Sequence, residues 1–146
     1  MSPEFNRFGF ALQYPENWEI EFTDPDEEGN YNFSVTGPSG AFWALSVHPE
    51  EVDPEAMVDG VLEMLQSEYQ GVEYDRQSIT IEDIELDGYE INFFCMDLTN
   101  TANVYAFRQY ERTFVVFWQA EDRELADLEP IFDALNHSLL NGLSEF

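Results

Sequence analysis

Two short runs constrain this chain more than anything else in it. Phe93-Phe94-Cys95-Met96 and Val115-Val116-Phe117-Trp118 are apolar at every position. Side chains alternate between the two faces of a strand, so a strand that is apolar throughout is covered on both sides. A chain with two such strands calls for a layered structure with a sheet in its middle.

The flanking sequence supplies the layers. Residues 8 to 14 alternate as a strand does. After Tyr14-Pro15-Glu16-Asn17, Trp18, Ile20 and Phe22 face one way and Glu19 and Glu21 the other. In this turn Pro15 fixes the backbone and holds Tyr14 extended, so the segment reads as a hairpin corner pinned by two aromatics. Residues 31 to 36 and 41 to 48 are further strands, divided by Gly37-Pro38-Ser39-Gly40. Asp53-Pro54 opens a helix, with Asp as N-cap and Pro at the first helical position. Val58, Val61, Leu62, Leu65 and Tyr69 recur there at helical spacing, and Gly71 is placed to cap its end. Strands resume near 74–82, 89–98, 104–110 and 113–120, with Asp87-Gly88 as a hairpin turn between Leu86 and Tyr89. A second helix spans about 122–140, with Leu128, Ile131, Phe132, Leu135 and Leu139 as its stripe. Pro130 is expected to kink it or to split off a short turn.

The order strands, helix, strands, helix, with hairpin-linked strands, is α+β. The expected architecture is one domain over residues 1–146, a mainly antiparallel sheet of about six to eight strands flanked by two helices. One helix on each face is the economical cover. The alternative leaves one sheet face open for a partner.

Charge excludes several functions. There are 31 acidic residues against five basic ones, all Arg, for a net charge of −26. Nucleic acid and anionic membrane surfaces are recognised by clustered Lys and Arg, so neither is an expected partner. Cations, a cationic partner or a salty milieu suit this surface, and salt adaptation is one reading of it. Cys95 is the only cysteine, which leaves no disulfide within the chain and no zinc cluster. MSPEFNRFGF has neither a basic n-region nor an apolar h-region. As written the chain reads as cytoplasmic, though a chain trimmed of a leader would look the same.

Chemical motifs are sparse. Asp24-Pro25-Asp26-Glu27-Glu28-Gly29 begins like a calcium loop, with Asp24, Asp26 and Glu28 at the first three ligand positions. Val35 stands where the bidentate Glu belongs, and the flanks are strands, so an ordinary acidic turn is the simpler reading. His48 and His137 lack a partner at metal-binding spacing and read as solvated. Cys95 shares a face with Ile91 and Phe93, which suits a core residue. No nucleophile elbow, phosphate loop or dinucleotide fingerprint occurs, and no cofactor is expected. The informative excess is aromatic. Trp43, Tyr105, Phe107, Phe117 and Trp118 all fall on strands. They form either a bulky core or an apolar sheet face for a peptide, a helix or a second copy, beside which Arg108 and Arg112 would pair with acidic groups.

Tyr14-Pro15-Glu16-Asn17-Trp18 between two alternating strands resembles the opening of the PsbP-like superfamily, which includes Mog and bacterial DcrB-type proteins. Phe42 to Val47 resembles the strand before that family's first helix. Ile84-x-x-Asp87-Gly88-Tyr89-x-Ile91 resembles a later strand, and Leu128-x-x-Ile131-Phe132-x-x-Leu135-x-x-Ser138-Leu139 its closing helix. The resemblance implies an α/β/α sandwich without common catalytic machinery, in a family whose members mostly bind proteins. Some small bacterial members hold hydrophobic client helices against the sheet. The function expected is therefore non-enzymatic protein binding, adaptor- or chaperone-like, with Trp43, Tyr105, Phe107, Trp118 and Arg108 as partner-face candidates. The alternatives are a carboxylate-based metal-dependent enzyme and a cation-binding, salt-adapted structural protein.

Overall fold

In a computed structural model, which describes residues 3–144, nine strands and two helices form a layered α+β domain. Strands β1 (Glu4–Arg7) and β2 (Phe10–Gln13) form a separate hairpin. The main sheet contains β3 (Glu19–Phe22), β4 (Tyr31–Thr36), β5 (Phe42–Pro49), β6 (Glu73–Ile81), β7 (Ile84–Cys95), β8 (Leu98–Gln109) and β9 (Arg112–Glu121). Its order is β3-β4-β5-β9-β8-β7-β6, antiparallel at every pairing. Helix α1 (Pro54–Glu68) crosses from β5 to β6, and α2 (Leu125–Gly142) closes the chain after a 3₁₀ turn at Asp122–Glu124. No helix among the described residues is long and apolar enough to cross a membrane.

The two helices take opposite faces. On one face α2 and the β1–β2 hairpin enclose the larger core, which includes Phe10, Leu12, Phe33, Trp43, Phe114, Trp118, Phe132 and Leu139. Within it the Trp43 indole Nε1–H donates to Asn136 Oδ1 at 2.8 Å, and both residues are buried. On the other face α1 lays Val58, Leu62 and Leu65 against Ile91, Phe93, Ala102, Val104 and Val115. Asp53 caps α1 as expected, accepting from Glu55 N at 3.1 Å, with Pro54 following it. The cover is offset: α1 packs on β7, β8 and β9, and leaves β3, β4 and β5 bare on its side.

Several local expectations are corrected. Asp87-Gly88 is not a turn. Both lie inside β7, where Gly88 pairs with Tyr105 and a Cβ would stand 1.8 Å from the Val104 carbonyl oxygen. Gly88 is required there by close backbone approach. The actual turn is Glu82-Asp83, and Met96-Asp97 and Tyr110-Glu111 form two more like it, all with positive φ and without glycine. Asx and other polar residues tolerate this conformation better than β-branched ones, and the long ladders on either side hold the rest. Residues 8 to 14 are not one strand, because the chain turns at Phe8-Gly9 and β2 pairs back on β1. The YPENW segment is accordingly a link between two sheets rather than a hairpin corner. Trp18 is nonetheless an anchor: it is buried, its ring sits over Gly37, and its centroid lies 6.2 Å from that of Phe132. Gly71 does not cap α1, which ends at Tyr69 in extended backbone. The second helix breaks between Glu124 and Leu125, not at Pro130, which α2 accommodates in its second turn. The Phe93–Met96 run is covered on one side only: Phe93 is buried, whereas Phe94 and Met96 are exposed at the β7–β8 turn.

Candidate functional site

The proposed partner-face aromatics are interior. Trp43, Tyr105, Phe107 and Trp118 have relative exposures of 0, 1, 4 and 9%. Register explains why. Trp43 pairs with Trp118, Tyr105 with Val116 and Phe107 with Phe114, which places all of them on the face enclosed by α2 and the β1–β2 hairpin. Tyr105 stacks on Trp118 at 5.5 Å and Phe107 on Phe114 at 5.0 Å. Burial pushes the Tyr105 phenol up to about 12, and the Tyr31 phenol likewise to about 12. Arg108 projects from the opposite face and donates to the Val52 carbonyl at 3.4 Å. These residues do not form one accessible surface.

The acidic turn is held together internally. Asp26 Oδ1 accepts from the backbone N–H of Glu28 and of Asn30, each at 2.9 Å, and the Asn30 amide also donates to this carboxylate. The Asn30 N–H above all holds the Asp26 carboxyl below its ordinary range. Asp24, Asp26 and Glu28 do not converge, and no group of three or more His, Cys, Asp and Glu among the described residues is placed to hold a metal ion. His48 is half-buried rather than solvated: its ring nitrogens contact Asn30 Oδ1 at 3.1 Å and Ser46 Oγ at 2.9 Å. Burial lowers its pKa, and the Asp26 charge opposes that shift. His137 is exposed and contacts Glu82 Oε1 at 2.8 Å. Cys95 packs beside the smaller core.

The offset of α1 creates a different site. Between α1 and the bare strands lies an open groove of about 650 Å³. The register defines its floor. One row runs Glu21, Ser34, Ala44, Phe117, Val104 from the edge of the sheet to the ground beneath α1. The next row brings Asn32, Ser46 and Val115 into line. Small side chains at Ser34, Ala44 and Ser46 make the floor low, and Phe42 stacked on Phe117 at 5.5 Å forms its apolar end. Met57, Val61 and Met64 of α1 form the wall. The rim carries Glu21 on the strand side and Glu68 on the helix side, and no lining residue is basic. Tyr69, tilted against Phe93 at 4.6 Å, closes the end near the C-terminus of α1.

Of the aromatics singled out in the sequence, only Phe117 reaches this groove. The signal for the rest was present in α1. Val58, Leu62 and Leu65 are the buried residues of α1, and Met57, Val61 and Met64 add apolar positions beside them that are less covered. A helix that touched only the sheet would place polar residues there. Met64 remains half-exposed at 51%.

No protein-family model matches the chain, and no curated protein does. Solved structures match over nearly its whole length. Cyanobacterial PsbP (CyanoP) from Synechocystis sp. PCC 6803 aligns with 93% of this chain and 89% of its own at a TM-score of 0.58 and 10% identity. PA94, a protein of unknown function from Pseudomonas aeruginosa, aligns with 94% of this chain and 95% of its own at a TM-score of 0.50 and 12% identity. A protein from Bacteroides thetaiotaomicron aligns with 90% of this chain and 44% of its own at a TM-score of 0.57 and 12% identity. At such identities the likeness speaks to the fold alone. Taken with the antiparallel sheet and its two helices, it establishes that the chain has a PsbP-like fold.

Proposed function

We propose that the chain is a non-enzymatic protein-binding domain, adaptor- or chaperone-like, whose groove between α1 and β3-β4-β5 takes an apolar helical segment of another protein. The observation that carries this reading is the apolar row Met57, Val61 and Met64 of α1, which lines the groove while only partly covered: Met57 and Val61 are half-buried at the edge of the smaller core and Met64 is exposed. Dimensions favour a helix as occupant. Neighbouring strands are ~4.8 Å apart, so β3 to β5 span ~10 Å, about the diameter of one helix with its side chains. An occupant there would lie beside α1 at an ordinary helix–helix spacing. Methionine suits such a wall, because its flexible, polarisable side chain adapts to different surfaces. No observation favours the alternative readings of a carboxylate-based enzyme or a cation-binding protein.

The methionines themselves provide the test. The chain has four, and Met57 and Met64 line the groove while Met96, exposed at the β7–β8 turn, does not. With methyl-labelled methionine, a Leu-rich helical peptide is expected to shift the Met57 and Met64 signals and to leave Met96 in place. Ala44→Trp, which fills the floor, is expected to abolish the shift. Unmoved Met57 and Met64 signals at millimolar peptide refute the reading.

A further inference from the structure

The charges around the groove define its occupant further. Its wall and the Ala44–Phe117 part of its floor are apolar, Ser34 and Ser46 add small polar side chains, and both long sides end in carboxylates. Glu21 and Glu68 stand on opposite sides, and Glu19 shares the outer face of β3 with Glu21, two residues along the same strand. All of these are exposed. The chain's own arginines contact groups other than Glu21 and Glu68. Arg76 pairs with Glu55 at 2.7 Å and Arg123 with Glu121 at 2.6 Å. Arg108 donates to Val52, Arg112 to the carbonyls of Phe8 and Ser144, and Arg7 lies over the ring of Phe22, a lining residue next to Glu21. None of the five lines the groove.

An acidic segment laid here would place like charges opposite one another on both sides, in the field of a chain that carries −26. A helix whose apolar stripe is flanked on each side by Lys or Arg meets complementary charge on both. Long basic side chains also lay their methylene stems along apolar walls while their charged ends reach the rim. We propose that the groove selects a cationic amphipathic helix of a partner protein, with its apolar stripe on Met57, Val61, Ala44 and Phe117 and its basic flanks on Glu21 and Glu68. This rests on the reading of the groove as a helix-binding site and adds the charge pattern of the partner.

Three synthetic 18-residue helices with one common Leu face test it, their flanks being all Lys, all Gln or all Glu. Binding is read by fluorescence anisotropy at 50 mM and 500 mM NaCl, and placement by the Met57 and Met64 methyl signals. The Lys helix is expected to bind at least tenfold tighter than the Gln helix at low salt, the Glu helix weakest, and the difference to shrink at high salt. Glu21→Gln with Glu68→Gln is expected to weaken the Lys helix about three- to tenfold. Glu129→Gln with Asp133→Asn, on the outer side of α2, removes the same charge far from the groove and is expected to change binding less than twofold. Equal loss in both double variants would mean attraction to the whole acidic surface and overturns the proposal. Equal affinity of the Lys and Gln helices, with the methyl shifts present, overturns it while leaving the groove intact. Absence of methyl shifts with all three helices overturns both.

Discussion

Gly88 offers the sharpest check on the sheet. Replacing it with Ala adds one methyl group, but that carbon would stand 1.8 Å from the Val104 oxygen and 2.8 Å from the Tyr105 Cα. Real Cβ contacts essentially never fall below 3.0 Å, and both neighbours are backbone, so β7 must move from β8 by more than 1 Å. Overpacking of this kind costs ~1–3 kcal/mol. Disturbing about two ladder hydrogen bonds adds ~1 kcal/mol each. The expected destabilisation is therefore about 3–5 kcal/mol. With an unfolding entropy of ~2.1 cal/mol/K per residue over this chain length, Tm falls by roughly 10–16 °C. Gly29→Ala is the comparison: φ there is +90°, and nothing lies within 4 Å of the added carbon. Only backbone strain remains, ~1–2 kcal/mol. Urea unfolding of both variants at fixed salt, followed by the fluorescence of the buried Trp18, Trp43 and Trp118, reads the difference. A Gly88→Ala variant no less stable than Gly29→Ala would refute the close strand pairing and restore the turn at Asp87-Gly88.

Asn136→Ala leaves the buried Trp43 N–H without its acceptor, and the urea midpoint should report a loss of about 2–3 kcal/mol. Self-repulsion at −26 predicts that Tm rises between 50 mM and 1 M NaCl, as the Debye length shrinks to ~3 Å; an unchanged Tm contradicts this. His48 has a folded pKa below its unfolded value of 6.5, so the unfolded chain takes up the proton first and stability is lost as pH falls below that value. Relative to His48→Asn, the wild type should therefore lose stability between pH 7.5 and 5.5, measured as the difference in urea midpoints.

Much of the fold was legible in the residues. Val115-Val116-Phe117-Trp118 demanded cover on both faces, and β9 lies under α1 on one side and against the α2 core on the other. Asp53-Pro54 marked the start of α1 because an N-cap and a proline act within one turn. Alternation set Trp18, Ile20 and Phe22 on one face; Trp18 and Ile20 pack in the larger core, while Phe22 at the sheet edge stays exposed. The candidate site was not legible in the same way. Trp43, Tyr105, Phe107 and Trp118 share an interior face only because β5, β9 and β8 are neighbours, and β5 reaches β9 across more than sixty residues of sequence.

What the sequence determined, then, was local: most of the strands and helices, which faces are apolar, and a net charge of −26. Periodicity states that a face is covered. It does not state by what, because the covering element comes from elsewhere in the chain. Only tertiary packing decided that α1 lies over β7, β8 and β9 and stops short of β5. That offset is set by where Val58, Leu62 and Leu65 find Ile91, Val104 and Val115. It leaves Met57, Val61 and Met64 facing a floor of small side chains with acids on both sides. It was also tertiary approach, of the β8 backbone to within a carbon's width of β7, that required glycine at position 88.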